Sequence, residues 1–514
     1  MSKRLFPCRP VFNGGYAAFA FALVVVVHLS NAAISAWFGY LSPDSWTYLR
    51  LAKGFQTNFY PSLDHNYFAV FPFGYPLLLA VASPGLDLVH TAIVSKFLNA
   101  LLWISTYVFL RRLRIPALVA AALVMTPFAL FIAAMSWSEN LMIFALILTL
   151  AGIDAMQNEN ERPARAIALL AAALITGISS RYAFGFIAGT FLAAYIGTFR
   201  MRAHRDVILT LILSGAFFVL YLAINAWLTG HATGMDRGPS TAPLSYLGFT
   251  FASANIQLIF SAMLPFAFVA LIATRDWRPR SLALMTGLVG FAYIAIITVL
   301  RLRNQFDPFD ERLLGPGWLL LAIAIALTAQ ESAGIAGRRI GAAALILLAL
   351  WSTYATHGND AIDLVNSGQM QTSLATSIGN YTTAFTPDDD DAEAVITVAT
   401  PSPRPTVHGD NQLYYGDLDV FEPLSAPLSP RETIAAFAKR LRSPKIDLMH
   451  CSVDFSHFAS DGDLSEVLDE VYPSGLIAEE PVFDRTLAER FHRVFRARAL
   501  VPCASFLDGT LPSN

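Results

Sequence analysis

The chain has 514 residues, of which 55% are hydrophobic and only 14% charged, where a soluble domain carries charge on about a quarter of its positions. That balance excludes an ordinary soluble enzyme and places most of the chain in lipid. A net charge of −3 gives no reason to expect nucleic-acid binding, which needs a concentrated basic footprint, and leaves membrane lipids and what they carry as the expected partners.

In chain order, the first apolar run covers residues 15–37 and follows Lys3, Arg4 and Arg9. It is longer than the apolar part of a signal peptide, and further runs follow, so it reads as an uncleaved first helix. Runs of spanning length recur at 90–110, 116–135, 138–153, 166–180, 183–199, 206–228, 255–273, 281–299, 313–328 and 339–355. The segment Tyr75–Ala82 is too short to cross and is expected to lie in the interface or re-enter. Every second loop is basic: Arg111, Arg112 and Arg114; Arg162 and Arg165; Arg200, Arg202 and Arg205; Arg275, Arg278 and Arg280; Arg338 and Arg339. The cytoplasmic side collects such residues. Eleven spans, a cytoplasmic N-terminus and an external tail from residue 356 satisfy that pattern. No internal repeat is evident.

The expected fold class is an all-α polytopic membrane bundle, residues 1–355, with a small C-terminal soluble α/β domain, residues 356–514. In the tail, 394–401 and 446–453 pattern as strands and 485–500 as a helix. The acidic run 387–393 reads as a solvated loop, with calcium binding the lesser alternative. Cys8 falls on the cytoplasmic side, while Cys451 and Cys503 share the tail and either pair or stay free.

Ionisable groups at an external helix end are costly enough near lipid to suggest function. Asp44 follows the first span in the external loop 38–89, behind Ser42 and Pro43, which suit a helix start. It either stabilises the first turn of that helix or does chemistry at the lipid–water boundary. Tyr48 stands one turn on and Ala52 a turn further, on a short amphipathic helix lying on the membrane. Glu139 opens the fourth span with no lysine or arginine near it in sequence, and Ser136 or Ser138 can cap it there. Arg181, Arg237, Arg301, Arg303 and Arg312 form an external basic set. Each alone can snorkel or pair with Asp307, Asp310 or Glu311. Together they suit a phosphate, whose oxygens the planar guanidinium fork matches. Asp64 and His65 are a weak metal-binding pair in the same external loop as Asp44, and a surface hydrogen bond accounts for them as well. No HExxH, P-loop or GxSxG motif is present, which removes hydrolysis by those routes.

The segments PDSWTYLRLAKGF, FPFGYPLLLA, SWSEN, SSRY and FDERLLGPGWLLL, in that order, resemble the GT-C glycosyltransferases, in particular bacterial members near the aminoarabinose transferases and protein O-mannosyltransferases. The tail segment DAEAVITVATPSPR is similar to the strand that opens the soluble domain of many of them. The resemblance implies a sugar donor linked to a polyprenyl phosphate, Asp44 as catalytic base and Glu139 as a second acid. It also implies that Arg301, Arg303 or Arg312 meets the carrier phosphate; Arg181, from the external basic set, and Tyr48, one turn from Asp44, join them as substrate-binding candidates on their position in the sequence. An adjacent pair of acids is usual in the first loop, but here Ser45 follows Asp44, which leaves a divalent cation and the type of acceptor open.

The function expected from the sequence is an inverting sugar transfer to an envelope lipid, glycan or protein at the outer face of the bacterial inner membrane. A lipid or lipid-linked-sugar flippase is the alternative, and it would set ionisable groups along a mid-membrane path; His28 and Asn225 are the deep polar residues that hydropathy picks out. A third possibility, a degenerate family member that only scaffolds an envelope assembly, would be favoured if Asp44 and Glu139 lay apart and shared no cavity.

Overall fold

In lipid a backbone has no partner but itself, so apolar runs of spanning length close their hydrogen bonds internally as helices. The computed structural model describes residues 15–63, 66–157, 163–199, 204–234, 244–304, 309–329, 334–367, 397–398, 412–415 and 418–423. It divides into two units, Met1–Met235 with Ser253–Thr298 and Asp310–Ser377, and Asp236–Ala252 with Val299–Phe309 and Ile378–Asn514.

The first span is α1 (Gly15–Trp37), and the amphipathic segment after it forms helix α2 (Pro43–Asn58). A two-residue antiparallel hairpin, β1 (Ser62–Leu63) and β2 (Asn66–Tyr67), leads to α3 (Gly74–Ala82). At nine residues α3 reaches only about 14 Å, too short to cross. The long helix α4 (Leu88–Arg112) follows.

The run read as one span at 116–135 is two helices, α5 (Ala117–Val124) and α6 (Pro127–Ala134), bent by 52°. Pro127 explains the break, because it has no N–H for a continuing helix. Thr126 then caps α6 by accepting from the Ala129 N–H at 3.3 Å.

Next come α7 (Glu139–Gln157), α8 (Pro163–Ser180), α9 (Tyr182–Phe199) and α10 (Arg205–Thr229). Helix α7 is the most deeply enclosed. Its Gly152 lets α8 approach so closely that a Cβ there would meet the Leu170 backbone at 3.0 Å. Helix α11 (Leu244–Leu258) passes through a π-helical turn, Ile259–Met263, into α12 (Leu264–Ala273). Pro265 accounts for that wide turn, since its ring displaces the carbonyl one turn back. The remaining helices are α13 (Ser281–Arg303), α14 (Glu311–Thr328) and α15 (Ile335–Ser367).

Ten of these helices are long and apolar enough to cross a membrane, or eleven if α5 and α6 count as one bent span. The protein is a multi-pass membrane protein. In the second unit, β3 (Thr397–Val398), β4 (Gln412–Tyr415) and β5 (Leu418–Pro423) form an antiparallel sheet in that order. The segment read as a strand at 394–401 contains β3. The acidic run 387–393, the segments 446–453 and 485–500, and both Cys451 and Cys503 lie outside the described residues.

Candidate active site

Asp44 stands in the first turn of α2. Ser42 caps this helix by accepting from the Ser45 N–H at 3.1 Å, and Pro43 takes the first helical position, where its missing donor is harmless. The carboxylate is 24% exposed. The side chain is therefore held at a helix start and still reachable.

Glu139 is held differently. It begins α7 and is only 1% exposed, behind the irregular turn that follows α6. Buried carbonyls in such a turn need donors, and polar side chains supply them. The Asn140 amide donates to the Ile132, Met135 and Trp137 carbonyls at 3.0–3.2 Å, and its own oxygen accepts from the Trp103 indole at 2.8 Å. From α4, Asn99 donates to Met135 at 2.7 Å, and Lys96 donates to the Ala134 carbonyl at 2.8 Å and the Ser136 hydroxyl at 3.0 Å. The turn carrying the acid is fixed from below.

Arginines close the site. Arg312, in the first turn of α14, donates from Nη1 to Asp44 Oδ2, while its Nε lies 3.5 Å from Glu139 Oε1 and 4.0 Å from Asp310 Oδ2. Arg181, between α8 and α9, places Nη2 3.0 Å from the same Glu139 oxygen. The absence of a nearby cation in sequence is thus made good by two arginines from distant loops. Arg312 also lies over the Trp137 ring, 5.1 Å from its centroid, and the Trp137 indole donates to Ser42 Oγ at 2.6 Å. One guanidinium and one indole tie the starts of α2, α7 and α14 together. Three carboxylates surround two guanidiniums here, so the cations are already engaged.

Tyr48 is fully buried behind the acids, sharing a 2.7 Å hydrogen bond with Ser138. Burial, the largest influence, pushes its phenol well above the usual tyrosine range. It remains a neutral hydroxyl, packed edge-on against Tyr75 at 5.4 Å.

Arg301 and Arg303 close α13 in the second unit. Arg301 is buried, and its Nη1 donates to the Asn304 carbonyl at 3.3 Å. Asp64, His65 and Arg237 lie outside the described residues. Among the described residues no group of three His, Cys, Asp or Glu side chains is placed to hold a metal ion.

Sequence reasoning missed Lys96, Asn99, Trp137 and Asn140. It named His28 and Asn225 as the deep polar residues, yet Lys96, Asn31 and Asn99 are buried within spans as well. A single polar side chain barely lowers the mean hydropathy of a 25-residue helix, so hydropathy hides it. The SWSEN motif did contain the signal for Trp137 and Asn140.

No family model matches this chain, and no curated protein matches it. Among solved structures, ArnT from Cupriavidus metallidurans in the apo state is similar with a TM-score of 0.46 and 15% identity, covering 60% of this chain and 59% of that one. The match thus spans less than two thirds of that relative. ArnT bound to undecaprenyl phosphate gives 0.46 and 14%, covering 70% and 74%. The archaeal oligosaccharyltransferase AglB from Archaeoglobus fulgidus, in complex with an inhibitory peptide and a dolichol-phosphate, gives 0.29 and 14%, covering 66% and 52%.

Proposed function

We propose that this chain is a membrane glycosyltransferase that moves a hexosyl or pentosyl group from a polyprenyl-phosphate carrier to an envelope acceptor. The observation that supports it best is the meeting of Asp44 and Glu139 on the single guanidinium of Arg312. A wide separation of these acids would have favoured the scaffold alternative, and Arg312 instead lies beside both.

In this reading Asp44 takes the proton from an acceptor hydroxyl or amine as that group attacks the anomeric carbon. The new bond to the acceptor forms on one face of the sugar while the bond to the phosphate oxygen breaks on the other. The electron pair leaves with the polyprenyl phosphate, and the configuration inverts. Arg312 and Arg181 stabilise the charge on the departing phosphate. Because Arg312 is bound to Asp44 before the donor arrives, phosphate binding draws the fork away and frees the base. Glu139, buried and paired with both arginines, holds them in place through the exchange. The reaction needs no nucleotide.

An apolar groove of about 610 Å³ between the end of α2, α3 and α10, lined by Phe55, Phe59, Phe73, Leu77, Phe217 and Tyr221, suits a hydrocarbon chain at the membrane boundary. The site is assigned to the outer face of the inner membrane, with the N-terminus cytoplasmic and the tail external, from the alternation of basic loops.

The test is release of undecaprenyl phosphate from a panel of undecaprenyl-phosphate-linked hexoses and pentoses, with an envelope extract as acceptor. At least one donor should be turned over by the wild type and not by Asp44→Asn. Equal rates for the two proteins would remove Asp44 from the chemistry.

A further inference from the structure

Lys96 belongs to a membrane-spanning helix, and it is among the largest side chains with no exposure at all. Taking an ammonium out of water costs several kcal/mol, and among the described residues no carboxylate lies within ion-pair distance of it. A methionine would fill the same space without that cost. The nitrogen's hydrogen-bond donors therefore serve something that packing alone does not need.

What surrounds it shows the use. The ammonium has three donors and meets three neutral oxygens: the Tyr40 carbonyl, the Ala134 carbonyl and the Ser136 hydroxyl. These come from two separate segments. Tyr40 lies in the turn that leads into α2, four residues before Asp44, and Ser136 lies three residues before Glu139. Neighbours on α4 reinforce the second attachment, since Ser95 shares a 2.6 Å hydrogen bond with Ser136 and Asn99 donates to Met135. Tyr40 is anchored in turn by its hydroxyl, which donates to the Thr356 carbonyl at 3.0 Å.

We infer that Lys96 is a positioning residue that clasps the Asp44 segment to the Glu139 segment and so sets the spacing that lets Arg312 serve both acids. The inference rests on the glycosyltransfer reading for its kinetic consequence, but the clasp itself is a statement about geometry. Converging oxygens suit a compact ammonium with three rotatable donors, whereas a planar guanidinium is longer and forked. Arginine is therefore a poor replacement here despite its charge.

The experiment uses the full chain in lipid nanodiscs, with Lys96→Met, Lys96→Gln and Lys96→Arg. Two readouts are taken: release of undecaprenyl phosphate from the donor panel above, and the ¹⁹F resonance of Trp137 in 5-fluorotryptophan-labelled protein, assigned by its loss in Trp137→Phe. A misplacement of about 1 Å is enough to lower turnover about 100-fold. The expected result is a 10- to 100-fold lower kcat with donor KM within about threefold, a shifted Trp137 resonance, and no further loss when Lys96→Met is added to Asp44→Asn. Lys96→Gln, which keeps a donor, supplies the same comparison, alone and with Asp44→Asn, if Lys96→Met does not fold. An unmoved resonance with wild-type turnover overturns the clasp, as does a loss of the same size in the Asp44→Asn background. If the wild type releases nothing from any donor while the resonance still moves, the clasp stands and sugar transfer falls.

Discussion

Asp44 and Arg312 are 268 residues apart in the chain, yet the guanidinium of one donates to the carboxylate of the other at the starts of α2 and α14. Ser42 and Asp310 cap those two helices, so each partner sits in a first turn whose direction is set by its own cap. The contact is made by helix placement rather than by loop flexibility. In the proposed mechanism the donor phosphate draws Arg312 away from this contact and releases Asp44 to act as base.

Replacing Arg312 by lysine should be nearly as damaging as replacing it by methionine. An ammonium is a point charge and cannot face Asp44 and Glu139 with separate nitrogens. Loss of one such electrostatic contact typically lowers turnover by about 100- to 1,000-fold. Donor turnover by Arg312→Lys within about threefold of wild type would show that charge alone suffices.

The two acids should separate stability from activity. Asp44→Asn removes a partly exposed group and should leave the thermal midpoint nearly unchanged, while lowering turnover by about 100- to 10,000-fold as expected for loss of a general base. Glu139→Ala leaves Arg181 and Arg312 facing one another without their shared counter-charge. Breaking a buried pair in this way costs about 3–5 kcal/mol, which a melting curve in detergent would register as a large drop.

Gly315→Ala should move Arg312 without touching it. A Cβ at Gly315, on α14 one turn from Arg312, would come within 2.2 Å of the Phe128 ring on α6. The rigid ring or the helix must give way, at about 1–3 kcal/mol for overpacking. Melting and donor turnover should both fall, and a paired Phe128→Leu should restore much of the loss.

Asp87 caps α4, accepting from the His90 N–H at 2.8 Å. The backbone N–H of His90 and then its ring nitrogen hold the Asp87 carboxyl below the usual carboxylate range. A carboxyl whose pKa is depressed by folding stabilises the fold above its ordinary pKa near 4 and loses that contribution as pH falls further. Asp87→Asn should therefore lower stability modestly at neutral pH, leave it little altered well below the ordinary carboxyl pKa, and so flatten the acid limb of a stability–pH curve.

Much of the bundle could be read in advance because the requirement is local. A span needs length and apolarity in one continuous segment, and ten or eleven helices of that kind lie where the runs predicted them. Even the exceptions carried their reasons in sequence, with Pro127 breaking one span and Pro265 widening another. The site was only half legible. Asp44, Glu139 and Arg312 stood out as charges at external helix ends, and each local motif located its own residue. Which charges pair was not written in any motif, since a pairing depends on the distance between helix ends.

By itself, then, the sequence determined a polytopic membrane bundle and a set of charges at helix ends, because lipid imposes a rule that each segment satisfies alone. Only the tertiary structure decided that Arg312 and Arg181 converge on one Glu139 oxygen, that Tyr48 turns inward to Ser138, and that Lys96 clasps two loops. Those outcomes depend on how helices pack, and packing joins residues that no local pattern connects.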